Sequence, residues 1–179
     1  MLRFNYSIAF NQLLILYDKL SEMNTLKEME NFQVKKVIII KADISNVWDA
    51  LINPEKTKKY FFGCEVHSEW KEGSLIEFKD KNGVPLVRGT VLKIVSKRLL
   101  KYSVLHSNLN DNDDPSCFSL VTYELSYDHG ETTLCITDDV GKAAGAGDRF
   151  LKSEKVWGNV LKGLKKLLEV KKSHFIFWN

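Results

Sequence analysis

From about residue 147 to 171 the chain carries an apolar stripe at helical spacing. Phe150, Trp157, Val160, Leu161, Leu164, Leu167 and Leu168 recur on one face, while Lys152, Lys155, Lys162, Lys165 and Lys166 lie largely elsewhere. A helix this long and this one-sided needs a broad apolar surface to lie on. The preceding residues supply one as short strand-like runs over 63–68, 74–79, 85–95, 99–106, 117–127 and 132–138. Lys81-Asn82-Gly83 and Asp128-His129-Gly130 place Asn-Gly-like chemistry between apolar alternations, the mark of hairpin turns with positive φ. Consecutive antiparallel pairing is the expected result.

Ahead of these runs, 34–41 reads as a β-branched strand built on Val37, Ile38, Ile39 and Ile40. Asp43 and Ser45 then offer N-cap oxygens, and Val47, Trp48, Leu51 and Ile52 follow at helical spacing until Asn53-Pro54 breaks the pattern. Pro54 can open a second short helix at its first turn, where its missing N–H costs nothing. The order is strand, two short helices, about six antiparallel strands and a long final helix. It predicts an α+β domain over about 34–170 in which a curved antiparallel sheet wraps the C-terminal helix.

Composition narrows the functional classes. Hydrophobic residues at 44% and charged residues at 27% are globular proportions, and no apolar run is long enough to span a membrane as a helix. The formal charge of +3 comes with acids interleaved among the bases, which does not make a nucleic-acid footprint. Cys64, Cys117 and Cys135 stand too far apart for a metal-ligand spacing or an even disulfide framework, so a reducing cytoplasm is the expected setting. Residues 1–30 read as an extension with an amphipathic helix carrying Ile8, Leu13, Leu16, Tyr17 and Leu20. Asn11 and Gln12 interrupt its apolar part, against a secretory signal; the alternative reading is a start at Met23 or Met29. The acidic stretch 108–115 reads as a solvated loop. Glycines 141, 145 and 147, just before the long helix, read as a hinge that could let the helix open. The tail 173–179, with Phe175, Ile176, Phe177 and Trp178, is apolar enough to require cover, either within the chain, from a second copy or from another protein.

Three spaced motifs carry a resemblance. Trp48-Asp49-Ala50-Leu51 followed by Asn53-Pro54-Glu55 and Tyr60-Phe61-Phe62-Gly63 resembles the opening of START-like domains. Trp70-Lys71-Glu72-Gly73-Ser74, then Arg88-Gly89-Thr90-Val91 and Leu99-Leu100-Lys101-Tyr102, resembles the branch named for the C-terminal domain of the heat-shock protein 90 ATPase activator, which includes bacterial SRPBCC-domain proteins. The resemblance covers about 34–170 and implies a helix-grip fold with an apolar cavity between sheet and helix. That superfamily includes lipid carriers, polyketide cyclases and hormone receptors, so the fold implies a cavity and not a reaction.

Aromatic residues supply the expected lining: Trp48, Tyr60, Phe61, Phe62, Trp70 and Phe78, then Tyr102, Phe118, Tyr123, Phe150 and Trp157, with Leu161 beside them. Among polar residues in strands, Arg88, His106, Thr122 and Glu124 are candidates for orienting a ligand. An inward Arg88 would pair with a carboxylate head group, whereas strand alternation turning it outward would leave it a surface charge. His67 lies between Glu65 and Glu69 on one strand face, but a metal site needs more ligands than this. The four histidines, His67, His106, His129 and His174, lack catalytic spacing, and there is no His-Glu-x-x-His, no Gly-x-Ser-x-Gly and no phosphate-binding glycine loop.

The leading expectation is therefore a binding protein for a small apolar or amphipathic molecule, without cofactor or metal. An interaction module of chaperone-activator type, working through the basic helix face and the tail, is the second. A cyclase- or hydrolase-like enzyme is the third, and it requires a polar pair such as Arg88 with His106 to converge inside the cavity.

Overall fold

The computed structural model describes residues 11–12, 14–21, 32–106, 118–142 and 145–169. The acidic loop, the C-terminal tail and part of the expected hinge lie outside these residues. Residues 11–12 and 14–21 are helical, with exposed side chains.

Gln33–Ile40 forms β1 and is followed by helices α1 (Ile44–Ile52) and α2 (Pro54–Thr57). Asp43 caps α1 by accepting a hydrogen bond from the Ser45 N–H at 2.7 Å, and Asn53 caps α2 by accepting from the Glu55 N–H at 2.9 Å. Asn53 thus ends one helix and starts the next, and Pro54 occupies the first turn of α2. The buried Thr57 hydroxyl accepts from the Val66 N–H at 3.0 Å, tying α2 to the sheet.

Strands β2 (Glu65–Ser68), β3 (Leu75–Lys79), β4 (Pro85–Val95), β5 (Leu99–His106), β6 (Phe118–Asp128) and β7 (Glu131–Asp139) then run as a meander. With β1 they make one seven-stranded sheet in the order β1-β7-β6-β5-β4-β3-β2, every neighbouring pair antiparallel. The β6–β7 hairpin closes with both His129 (φ 47°) and Gly130 (φ 86°) left-handed, as its sequence predicts. The β3–β4 turn differs. Only Gly83 is left-handed there, because Asp80 Oδ1 accepts from both Asn82 and Val84 N–H groups at 2.9 Å and builds the turn from its first residue.

Sheet curvature comes from irregularities in pairing, with register shifts at Phe78/Lys79 and at Val91/Lys93. Gly89 lets β4 and β5 approach between these points. A Cβ at this position would stand 1.7 Å from the Ser103 carbonyl oxygen.

The long helix α3 (Ala146–Leu168) buries Trp157, Val160, Leu161 and Leu164 against the concave face. Polar contacts fasten it to the edge strand β1. Lys165 Nζ donates to the Ile39 carbonyl at 2.8 Å, the Lys41 N–H donates to Glu169 Oε1 at 2.7 Å, and Lys36 pairs with Glu154. These side chains occupy backbone groups at one sheet edge that would otherwise invite another strand. The expected α+β helix-grip architecture is what the chain adopts.

Candidate functional site

Strand alternation decides which side chains reach the space between sheet and helix. On β7 one face carries Thr132, Leu134, Ile136 and Asp138, all buried; on β6 it carries Ser119, Val121, Tyr123 and Leu125. Near the ends of these strands that face bounds a cavity of about 220 Å³. Its floor comes from the sheet, through Phe78, Val87, Tyr102, Val104, Val121 and Asp138. Phe61, from the segment after α2, and Ser153, Val156 and Trp157, from α3, complete the enclosure. Val156 is also exposed, so the cavity reaches the surface beside the helix.

The aromatic walls are in contact through ring edges and faces. Phe61 lies 4.8 Å from Phe78 and 6.0 Å from Trp157, centroid to centroid, and Tyr123 lies 5.8 Å from Trp157. Beneath them runs a buried polar seam. The Tyr102 and Tyr123 hydroxyls share a 2.8 Å hydrogen bond, and the Tyr60 hydroxyl donates to the Ala50 carbonyl at 2.9 Å. Burial pushes all three phenols well above the ordinary range, so they stay neutral and hydrogen-bonding.

Asp138 contributes a carboxyl group to the cavity wall. Its Oδ2 accepts from the Ser153 hydroxyl at 2.5 Å and from Trp157 Nε1–H at 2.9 Å. Its Oδ1 is buried and has no hydrogen-bond partner among the described residues.

The residues expected from the sequence separate into groups. Phe61, Phe78, Tyr102 and Trp157 stand in the cavity wall. Trp48, Tyr60, Tyr123 and Leu161 are buried in the surrounding core, and Trp70 packs half-buried against it. Phe150 packs on Phe32, 6.1 Å away, instead of facing the cavity. Three further residues are placed away from the expected lining. Phe62 (φ 53°) and Gly63 (φ 79°) are both left-handed, which throws the Phe62 ring outward to 61% exposure while Phe61 points in. Phe118 alternates with Ser119, which lines the cavity, and so is turned to the other face of the sheet. Arg88 alternates with Val87 in the same way: it is exposed and its Nε donates to Glu77 Oε1 at 3.2 Å. It is not available to a carboxylate in the cavity. His106 ends β5 opposite Val87, and its side chain lies outside the described residues. An Arg88–His106 pair inside the cavity, the example named for the enzyme reading, is therefore not formed. His67 makes a 3.4 Å contact with Glu65, and no group of three metal-ligating side chains occurs among the described residues.

Asp138 and Ser153 were missed, although a signal for the first is present in the sequence. In Thr132–Leu134–Ile136–Asp138 a carboxylate takes the fourth place of an inward alternation, where an apolar residue is the rule.

Comparison with known proteins agrees with the geometry. The family profile described as Activator of Hsp90 ATPase homolog 1-like protein matches residues 41–169. The solution structure of ChR145 from Cytophaga hutchinsonii is similar at 33% identity and a TM-score of 0.62, over 76% of this chain and 93% of that one. The Aha1 dimer from Colwellia psychrerythraea is similar at 20% identity and a TM-score of 0.62, over 78% and 98%. CalU16 from Micromonospora echinospora matches at 18% identity and a TM-score of 0.60, over 76% of each chain. At those lower identities the likeness is one of fold. No curated protein matches the chain. No helix among the described residues is long and apolar enough to cross a membrane. With a family match across most of its length and the sheet-and-helix architecture of its relatives, the chain belongs to the Activator of Hsp90 ATPase homolog 1-like family.

Proposed function

We propose that the protein binds a small, predominantly apolar molecule in the cavity between its sheet and α3. The observation carrying this reading is an aromatic-walled space of about 220 Å³ inside an otherwise close-packed domain. Protein interiors are packed to the density of organic crystals, and voids larger than a few waters are uncommon unless something fills them. A dry cavity of about 150 Å³ accepts a benzene-sized molecule, so this one suits a single substituted ring or its aliphatic equivalent, roughly nine heavy atoms. Native mass spectrometry of the protein purified from its own host tests the reading. A defined co-purifying compound of this size supports it, and full occupancy of the cavity by nothing but water, with no apolar probe able to displace it, refutes it.

Partner binding through α3 is the second reading. Lys152, Lys155, Lys162 and Lys166 are exposed along the helix, and this basic strip suits an acidic protein surface. Lys165, by contrast, is engaged with Ile39 and Glu169. Reversing the charge of Lys162 and Lys166 would abolish partner capture while leaving ligand binding intact. The Colwellia relative is described as a dimer, and self-association through the same helix is read from sedimentation of the same variants.

A further inference from the structure

We infer that the cavity selects molecules that donate a hydrogen bond, such as a hydroxyl- or amino-substituted ring, and rejects carboxylates. The inference rests on the cavity being a ligand site, as proposed above, and adds which ligand chemistry it takes.

The reasoning starts from Asp138. The residue is 6% exposed, and its neighbours in the wall are almost entirely apolar. Both donors that reach it, Ser153 Oγ–H and Trp157 Nε1–H, bind the same oxygen, Oδ2. Held by two donors from successive turns of α3, the carboxylate cannot swing to share them with Oδ1. That second oxygen is left with acceptor capacity and no partner among the described residues. A buried acceptor in this state is costly, and more so when charged, so a donor brought by a ligand recovers energy that the empty protein lacks. Water could supply the donor only by occupying a pocket with few other polar partners to hold it.

Charge complementarity points the same way. Among the described residues no cationic side chain belongs to the cavity wall, and Arg88, the strand cation that would have balanced an acid, is on the opposite face with Glu77. A ligand carboxylate would therefore bring further acceptors to an oxygen that needs a donor, at a wall that offers it no cation among the described residues, an arrangement that disfavours binding. A phenol, alcohol or amine of similar size presents an apolar body to Phe61, Phe78 and Trp157 and a donor to Oδ1, an oxygen that the empty wall covers and that the ligand uncovers on binding.

Four probes of nearly equal size separate the possibilities: 4-ethylphenol, ethylbenzene, 4-methylbenzoate and 4-methylacetophenone. Titration calorimetry on the full chain, backed by tryptophan fluorescence, gives their affinities. The expected result is 4-ethylphenol binding about tenfold or more tightly than ethylbenzene, with 4-methylbenzoate weakest. A purely apolar pocket ranks the first two in reverse, because the hydroxyl would lose its water without compensation. Asp138→Asn makes the second measurement. Its amide oxygen takes over the bonds from Ser153 and Trp157, which turns the amide N–H toward the cavity. The variant should lose the preference for 4-ethylphenol and favour the acceptor 4-methylacetophenone. Equal affinities of 4-ethylphenol and ethylbenzene for the native protein, or tightest binding of 4-methylbenzoate, would overturn the inference while the cavity reading stands. Failure of all four probes to bind would remove the cavity reading and this inference together. The native series decides the matter even if the variant folds poorly.

Discussion

Replacing Gly89 by alanine adds a single methyl group, yet the structure predicts one of the largest losses any such change could cause in this protein. The new Cβ would stand 1.7 Å from the Ser103 carbonyl oxygen and 2.7 Å from its carbon, both backbone atoms that no side-chain rotation can move. To reach the 3.0 Å that Cβ atoms tolerate, β4 and β5 must part by about 1.3 Å at this point. Opening the pair disrupts the 3.0 Å bond from the Thr90 N–H to Ser103 Oγ and strains the ladder beside it, at about 1 kcal/mol for each bond lost. Overpacking of a buried site adds about 1–3 kcal/mol, so the total is about 3–5 kcal/mol. Against a typical domain stability of about 5–15 kcal/mol, that change can take most of the margin. Gly158→Ala is the matched control: this glycine lies within α3, with nothing within 4 Å of the added Cβ, and alanine should stabilise by about 0.8–1 kcal/mol. Urea unfolding followed by circular dichroism measures both. Gly89→Ala within 1 kcal/mol of the native protein would show that the two strands do not approach as described, and the account of sheet curvature would fail with it.

Three further outcomes are expected. Trp157→Phe keeps an aromatic ring, though a smaller one, and removes a donor from buried Asp138; it should lower the urea midpoint by the equivalent of at least about 1.5–3 kcal/mol without changing the slope, and an unchanged midpoint would mean the indole N–H is dispensable. At alkaline pH the phenols of Tyr60, Tyr102 and Tyr123 ionise near 10 in the unfolded chain and much higher in the folded one, so the unfolded state binds fewer protons and stability falls as pH rises. The loss approaches about 1.4 kcal/mol per pH unit for each buried tyrosine, so Tyr123→Phe should flatten the decline of the midpoint between pH 10 and 11, and an identical slope would contradict the burial. Lys165→Ala removes a half-exposed contact to the Ile39 carbonyl and should cost no more than about 1 kcal/mol in thermal unfolding; a loss above about 2 kcal/mol would make the β1 edge far more dependent on this clasp than its exposure implies.

The basic strip of α3 and the cavity lie on different aspects of the same helix. Its inward face carries Trp157, Val160, Leu161 and Leu164, whereas Lys152, Lys155, Lys162 and Lys166 are outward. One element can therefore serve ligand and partner at once, and a ligand that shifts α3 at Ser153 and Trp157 would be felt on the basic face. Altered partner affinity on adding a cavity probe would detect that coupling, which by linkage must be equal in both directions.

The sequence by itself determined the order and kind of the elements, because periodicity, caps and turn residues are local properties. The Asp43 and Asn53 caps, the His129-Gly130 turn and the stripe of α3 each follow from residues within a few positions of one another. Facing is a two-valued choice along a strand, and a single residue sets it. Phe61 and Phe62, Val87 and Arg88, and Phe118 and Ser119 are adjacent pairs whose members go to opposite sides, and composition alone credits the wrong member of each pair as easily as the right one. Only the tertiary structure decided which aromatic rings bound the cavity and that Arg88 leaves it. It alone revealed Asp138 with one oxygen held and one free, since that state depends on two donors arriving from a helix that begins after β7 has ended and returns across the sheet.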